Sequence, residues 1–240
     1  MFNTKTKILR LSALSLAVAG AMSVTHTANA EGVDVSGSVG LANMYLWRGI
    51  DLGDGDAAVS GDLKVSAAGA YAGVWGSSGD ASLGTEYDLY VGYGAEFGGL
   101  TVDLSVWTYM YPDSEERECD ELTGTCVKIN QEYDDFGGAS DAVLSLGFAG
   151  FGVAVYDSIA DAGGPSGYEY YTLSYSYSSF TILAGLHDNV GSTDNATHVN
   201  LAYAYNDNLS FTFSQFVDGD DESVDKDLKF VVAYSLPIGD

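Results

Sequence analysis

A chain of 240 residues with 34 acids, nine Lys and Arg, and a formal charge of −25 lacks the basic footprint that nucleic-acid binding needs. Its 46% hydrophobic and 12% aromatic content excludes a disordered polyanion. Thirty glycines against three prolines point instead to extended strands joined by many turns.

Residues 1–30 have the features of a cleaved export signal. Lys5, Lys7 and Arg10 form a basic start, the apolar run LSALSLAVAGAM follows, and Ala28-Asn29-Ala30 supplies the small-x-small cleavage pattern. Cleavage removes three bases and no acid. It leaves a single domain, 31–240, with 34 acids against six bases and a formal −28. No later run approaches the ~20 apolar residues of a membrane helix, so no helical span is expected.

From there the sequence alternates with period two, the mark of strands with one apolar and one polar face. The first strand is predicted over 33–48, with Val35, Val39, Leu41, Tyr45 and Trp47 on one face. The two aromatics would then sit in an outer interfacial girdle, with Arg48 on the opposite face beside the pore mouth. An acidic first loop follows, carrying Asp51, Asp54 and Asp56. Strands are predicted next over 57–68, with Asp62 and Lys64 on the polar face, and over 70–77. In 85–96, Tyr87, Leu89, Val91 and Tyr93 oppose Glu86, Asp88 and Tyr90; in 99–111, Leu100, Val102, Leu104 and Val106 oppose Thr101, Asp103 and Ser105.

Residues 112–138 form the longest connection. They carry nine acids, Glu115 and Glu116 among them, and the only two cysteines, Cys119 and Cys126. In an exported chain these are expected to close a small surface loop as a disulfide. Further strands are predicted over 139–149, 151–159, 167–177, 180–187, 196–206, 208–217 and 226–237, with Glu169 assigned to the polar face. Phe211, Phe213 and Phe230 fall on apolar faces, and the last loop holds Asp218, Asp220 and Asp221.

Long and short connections alternate along these twelve strands. That predicts an all-β fold, an antiparallel up-and-down transmembrane β-barrel of about 12 strands, with long extracellular loops and short periplasmic turns. A soluble sandwich also alternates, but its outward face is rich in Lys and Glu, whereas the polar face here is rich in Ser, Thr, Gly, Ala and Asp.

Charged residues on the polar face of such a barrel must face water or a partner. Arg48, Asp62, Lys64, Asp88, Asp103 and Glu169 are therefore the candidate channel-lining or mouth residues. The acidic loops would raise the local cation concentration and disfavour anions. They match no complete EF-hand, so no specific metal site or cofactor is expected, only divalent cations bound loosely between loops and lipopolysaccharide. A hydrolase would need more than His187 with Ser192 and Asp194, and neither G-x-S-x-G nor H-E-x-x-H occurs, so an enzyme is not expected.

One segment carries a family resemblance. Tyr45, Arg48, Gly49 and Ile50 begin it, followed by Ala58, Val59 and Gly61, then Gly69, Tyr71, Gly73, Trp75 and Ser77. Gly84, Glu86, Asp88, Tyr90, Gly92 and Tyr93 continue the pattern, and Tyr109, Tyr111 and Pro112 close it. The segment resembles the TorF-type family of bacterial porin-like proteins, densely from about 37 to 112. Where that family has proline after the first turn, this chain has Ala57; where outer-membrane barrels end in an aromatic residue, it ends in Asp240. The resemblance implies a barrel in the outer membrane of a Gram-negative bacterium, inserted by the barrel assembly machinery among lipid and lipopolysaccharide. The expected activity is passive diffusion of small hydrophilic solutes by a monomer. A structural or adhesive barrel that does not conduct is the alternative.

Overall fold

The computed structural model describes residues 32–112, 117–119, 126–128, 136–161, 167–190, 194–219 and 224–238; for 117–119, 126–128, 189, 190 and 194 only the backbone path is described. The predicted signal, 1–30, and Ser192, Glu115, Glu116, Asp220 and Asp221 lie outside the described residues. In chain order the strands are β1 (Asp34–Ala42), β2 (Leu46–Trp47), β3 (Ile50–Asp51), β4 (Ala58–Ala67), β5 (Ala70–Asp80), β6 (Gly84–Phe97) and β7 (Leu100–Met110). Then come β8 (Arg117–Cys119), β9 (Cys126–Lys128), β10 (Ala139–Phe148), β11 (Phe151–Asp161) and β12 (Glu169–Tyr177). The last are β13 (Phe180–Val190), β14 (Asp194–Ala204), β15 (Leu209–Asp218) and β16 (Lys229–Ile238).

Twelve of these, β1, β4–β7 and β10–β16, form one closed antiparallel barrel. Each strand pairs with its neighbour in sequence, and β1 pairs with β16 from Gly37 opposite Ile238 to Ala42 opposite Ala233. Closure leaves no strand edge to be satisfied by lipid. The short connections lie at one end. Ala68–Gly69 is typical, with φ of 51° and 89°, the paired positive values of a type I′ hairpin whose twist suits the flanking strands.

Burial is inverted relative to a soluble protein. Leu89, Val91, Leu104, Phe213 and Phe230 face outward and exposed, with Leu104 at 59%. Much of the buried set is polar, including Ser36, Ser38, Glu86, Asp88, Asp141, His187, His198, Asn200 and Ser214. So broad an apolar exterior around a polar interior identifies a transmembrane β-barrel.

Three expectations change. First, β1 stops at Ala42 rather than 48. Asn43 ends it by bonding across to β16: its Nδ2 donates to the Phe230 carbonyl at 3.1 Å and its Oδ1 accepts from Val232 N at 2.6 Å. The chain beyond turns into the lumen, so Tyr45 is buried, not in a lipid-facing girdle. Second, Glu169 stands on the outer face. Its register partners are Asp157 and Asp188, Tyr171 bonds to it there, and its neighbour Tyr170 points inward to His198. Third, β8 and β9 pair as a small hairpin in the longest loop with Cys119 opposite Cys126, but those side chains are not among the described ones, and the expected disulfide finds no support in the structure.

Candidate functional site

The residues after β1 make a second, smaller hairpin inside the barrel. Leu46 pairs with Asp51 and Trp47 with Ile50, and Leu52 N donates to the Tyr45 carbonyl at 2.8 Å. Its two-residue tip is Arg48–Gly49, with φ of 48° and 85°, again the type I′ signature. Glycine is required at the second position for a steric reason too: a Cβ there would lie 2.6 Å from His198 Cγ. Asp51 shapes the exit, accepting from Gly53 N at 3.0 Å and Gly55 N at 2.8 Å.

Apolar contacts hold the hairpin on both sides. Tyr45 packs with Ala58, Trp75 and Tyr90, with Trp47, Leu52, Tyr71 and Trp107 around them. Ile50 packs against the cluster of Ala196, Phe216 and Val224. Because the hairpin springs from between β1 and β4 and its tip contacts β10 to β14, on the far side of a twelve-strand ring, it crosses the lumen.

Arg48 makes the far contact. Its Nη2 lies 2.5 Å from Asp141 Oδ2, which also accepts from Tyr109 OH at 3.0 Å. Its Nη1 donates to Tyr168 Oη at 3.3 Å. The guanidinium carbon stands over four rings, Trp47 at 4.4 Å, Tyr156 at 4.6 Å, Tyr170 at 4.9 Å and Tyr168 at 5.6 Å. Each such contact is worth ~0.5–2 kcal/mol, the upper end applying to a desolvated cation. Burial disfavours the charge, but Tyr168, Tyr109 and Asp141 outweigh it, so the guanidinium is held even more firmly protonated than usual. The same residue is fixed at its backbone, because His187 Nε2 donates to the Arg48 carbonyl at 2.8 Å. That assignment makes His187 Nδ1 the acceptor of Tyr168 OH at 2.9 Å. With both ring nitrogens engaged, His187 presents no free lone pair to a serine.

The near wall is acidic. Glu86 and Asp88 lie two residues apart on the inward face of β6, both buried. Glu86 accepts from Tyr45 OH, while Asp88 Oδ1 has no hydrogen-bond partner. Burial first, and then the Glu86 carboxylate, push the Tyr45 and Tyr111 phenols far above the ordinary tyrosine value, so both remain neutral donors. Among the described residues no three of His, Cys, Asp and Glu gather in a metal-holding group.

The sequence-predicted residues divide. Arg48 and Asp88 lie in this outer assembly. Asp62, Lys64 and Asp103 also face inward, but nearer the short turns: Tyr90 OH donates to Asp62 at 2.7 Å, Tyr71 OH to Asp103 at 2.7 Å, and Lys64 Nζ lies 5.4 Å from the Tyr71 ring centroid. Glu169 is outside the lumen, Asp54 and Asp56 are exposed in the first loop, and Asp218 is exposed at the end of β15. Sequence reasoning did not select Tyr45, Glu86, Asp141, Tyr156, Tyr168, Tyr170 or His198. The Trp-Arg-Gly-Ile tetrapeptide held the usable signal, a glycine in the second place of a two-residue turn flanked by apolar pairs.

The sequence matches the family model described as bacterial protein of unknown function (Gcw_chp) over residues 26–207. The chain belongs to the Gcw_chp family. No curated protein matches the Gcw_chp chain. Among solved structures, a membrane protein from work on in-meso crystallization shares its fold at a TM-score of 0.51 and 9% identity, covering 85% of this chain and 84% of the other. The KdgM porin is similar at 0.44 and 10%, covering 84% and 97%, and outer membrane phospholipase A from Escherichia coli at 0.42 and 10%, covering 88% and 93%. The Gcw_chp chain is thus a twelve-stranded transmembrane β-barrel of the bacterial outer-membrane kind.

Proposed function

We propose that this Gcw_chp protein lets small hydrophilic solutes diffuse passively across the outer membrane and disfavours anions. The carrying observation is the charge of the inner wall. Asp62, Glu86, Asp88, Asp103 and Asp141 face inward against three inward cations, of which Arg48 and Lys229 are already engaged by Asp141 and Asp225 and Lys64 stands against the Tyr71 ring. An acidic, low-dielectric constriction repels anions more strongly than an acidic surface in bulk water does. The barrel would act as a monomer among lipid and lipopolysaccharide, placed there by the assembly machinery.

Planar-bilayer recording of the refolded domain tests this reading. Discrete conductance steps with a reversal potential displaced toward the cation value in a KCl gradient are expected; anion selectivity would overturn it. The hairpin that crosses the lumen favours a second reading, a barrel closed by its own first loop. Absence of steps in the native chain, together with steps after the hairpin is removed, would establish that one.

A further inference from the structure

The barrel wall opposite the hairpin root is organised around a guanidinium, and most of that organisation does not depend on the hairpin. Asp141 is fixed by Tyr109 OH at 3.0 Å, Tyr168 by His187 Nδ1 at 2.9 Å, and Tyr170 OH by His198 Nε2 at 2.8 Å. His198 is fixed in turn, its Nδ1 lying 3.0 Å from Asn200 Oδ1. Together with Tyr156, 4.6 Å from the guanidinium, they form a cup with one carboxylate and three aromatic faces. Beside it, the His187 Nε2–H that meets the Arg48 carbonyl is aimed to receive an oxygen acceptor. The wall therefore meets both the planar cation and the backbone carbonyl of Arg48.

We propose that this cup, Asp141 with Tyr156, Tyr168 and Tyr170, is a binding site for guanidinium-bearing solutes that also carry a carbonyl or carboxylate, and that Arg48 is its tethered occupant. The proposal rests on the passive-channel reading and gives it a solute class. A planar, weakly hydrated cation loses less on desolvation than an ammonium and stacks on several rings at once, which is what this cup offers. Because the hairpin is packed on both sides, Arg48 is presented at an effective concentration above that of a short flexible linker, so a solute competes weakly in the native chain and far better once Arg48 is removed. The acidic first loop, with Asp54 and Asp56 exposed, concentrates cations near the entrance. A solute that takes the cup releases the hairpin tip and widens its own path.

Calorimetric titration of the refolded domain with L-arginine, against potassium chloride at equal ionic strength, tests the site without needing conduction. Arg48→Ala should bind arginine at least about tenfold more tightly than the native chain, and adding Asp141→Asn should remove that gain, as expected when one partner of a buried charge pair is lost. Should Arg48→Ala fail to give the heat-modifiable band of a folded barrel, the chain with residues 45–52 replaced by a glycine–serine linker serves in its place. No gain over the native chain, or a gain that survives Asp141→Asn, would overturn the proposal. Arginine binding by a barrel that never conducts would leave the site standing and defeat the channel reading; conduction without arginine binding would do the reverse.

Discussion

The two halves of the lumen are built from the same strands and differ in what fills them. In the outer half, Tyr45, Leu46, Glu86, Asp88, Asp141, His187 and His198 are all buried, packed on or beside the inserted hairpin. Toward the short turns, Asp62, Lys64, Tyr71 and Asp103 on β4, β5 and β7 remain half-buried, joined by phenol–carboxylate bonds of ordinary length. Both halves are acidic. The carboxylates of the outer half are buried and those of the inner half are half-exposed, and a charge acts over a longer range where water is excluded. Selectivity should therefore reside in the outer half.

Replacing residues 45–52 by a flexible glycine–serine linker should break this contrast most completely. Single-channel conductance is expected to rise several-fold, because the only element shown crossing the lumen among the described residues is gone. The cost appears in stability: Asp141 loses the Arg48 partner it is buried against, which for a buried pair is on the order of 3 kcal/mol. Thermal unfolding followed by heat-modifiable gel migration should record that loss. Unchanged conductance would place the constriction elsewhere.

How much of this was legible in the sequence follows the same division. The twelve barrel strands were readable because lipid imposes strict period-two alternation, and the inward placement of Asp62, Lys64, Asp88 and Asp103 follows from parity within single strands. Parity failed where it was carried through a break it cannot see. Counting from Val39 through Asn43 put Tyr45 and Trp47 toward lipid, but Asn43 caps the strand with its side chain and the backbone then turns inward. Glu169 failed for the opposite reason: it shares the parity of Tyr171, Leu173 and Tyr175, which face outward, and its charge was weighed above that parity. The cup was invisible because Asp141, Tyr156 and Tyr170 come from three strands and meet only once the barrel closes.

Alkaline pH should sharpen the comparison at smaller cost. The Tyr45 phenol, raised by burial and by Glu86, has a folded value above its unfolded one. Its contribution to docking is therefore full below the unfolded tyrosine value of about 10 and falls as pH rises beyond it. Tryptophan fluorescence follows this directly, since Trp47, Trp75 and Trp107, the three tryptophans of the chain, all surround the hairpin. A flat signal from pH 6 to 9 with a change above 10 is expected, and Tyr45→Phe should reduce that change. Equal alkaline sensitivity in the variant would remove Tyr45 from the docking contact.

The inner half should give the smallest response. Asp103→Asn keeps an oxygen to accept from Tyr71 OH and removes a charge that is only half-buried, so solvent screening limits its reach. The expected stability change is within ~1 kcal/mol, the range of partly exposed charge interactions. Reversal potential in a KCl gradient should barely move, whereas Asp141→Asn, which leaves the buried Arg48 cation uncompensated in the outer half, should shift it clearly toward the anion value. Equal shifts from the two substitutions would mean that selectivity is spread along the whole lumen and that desolvation by the hairpin is not what concentrates it.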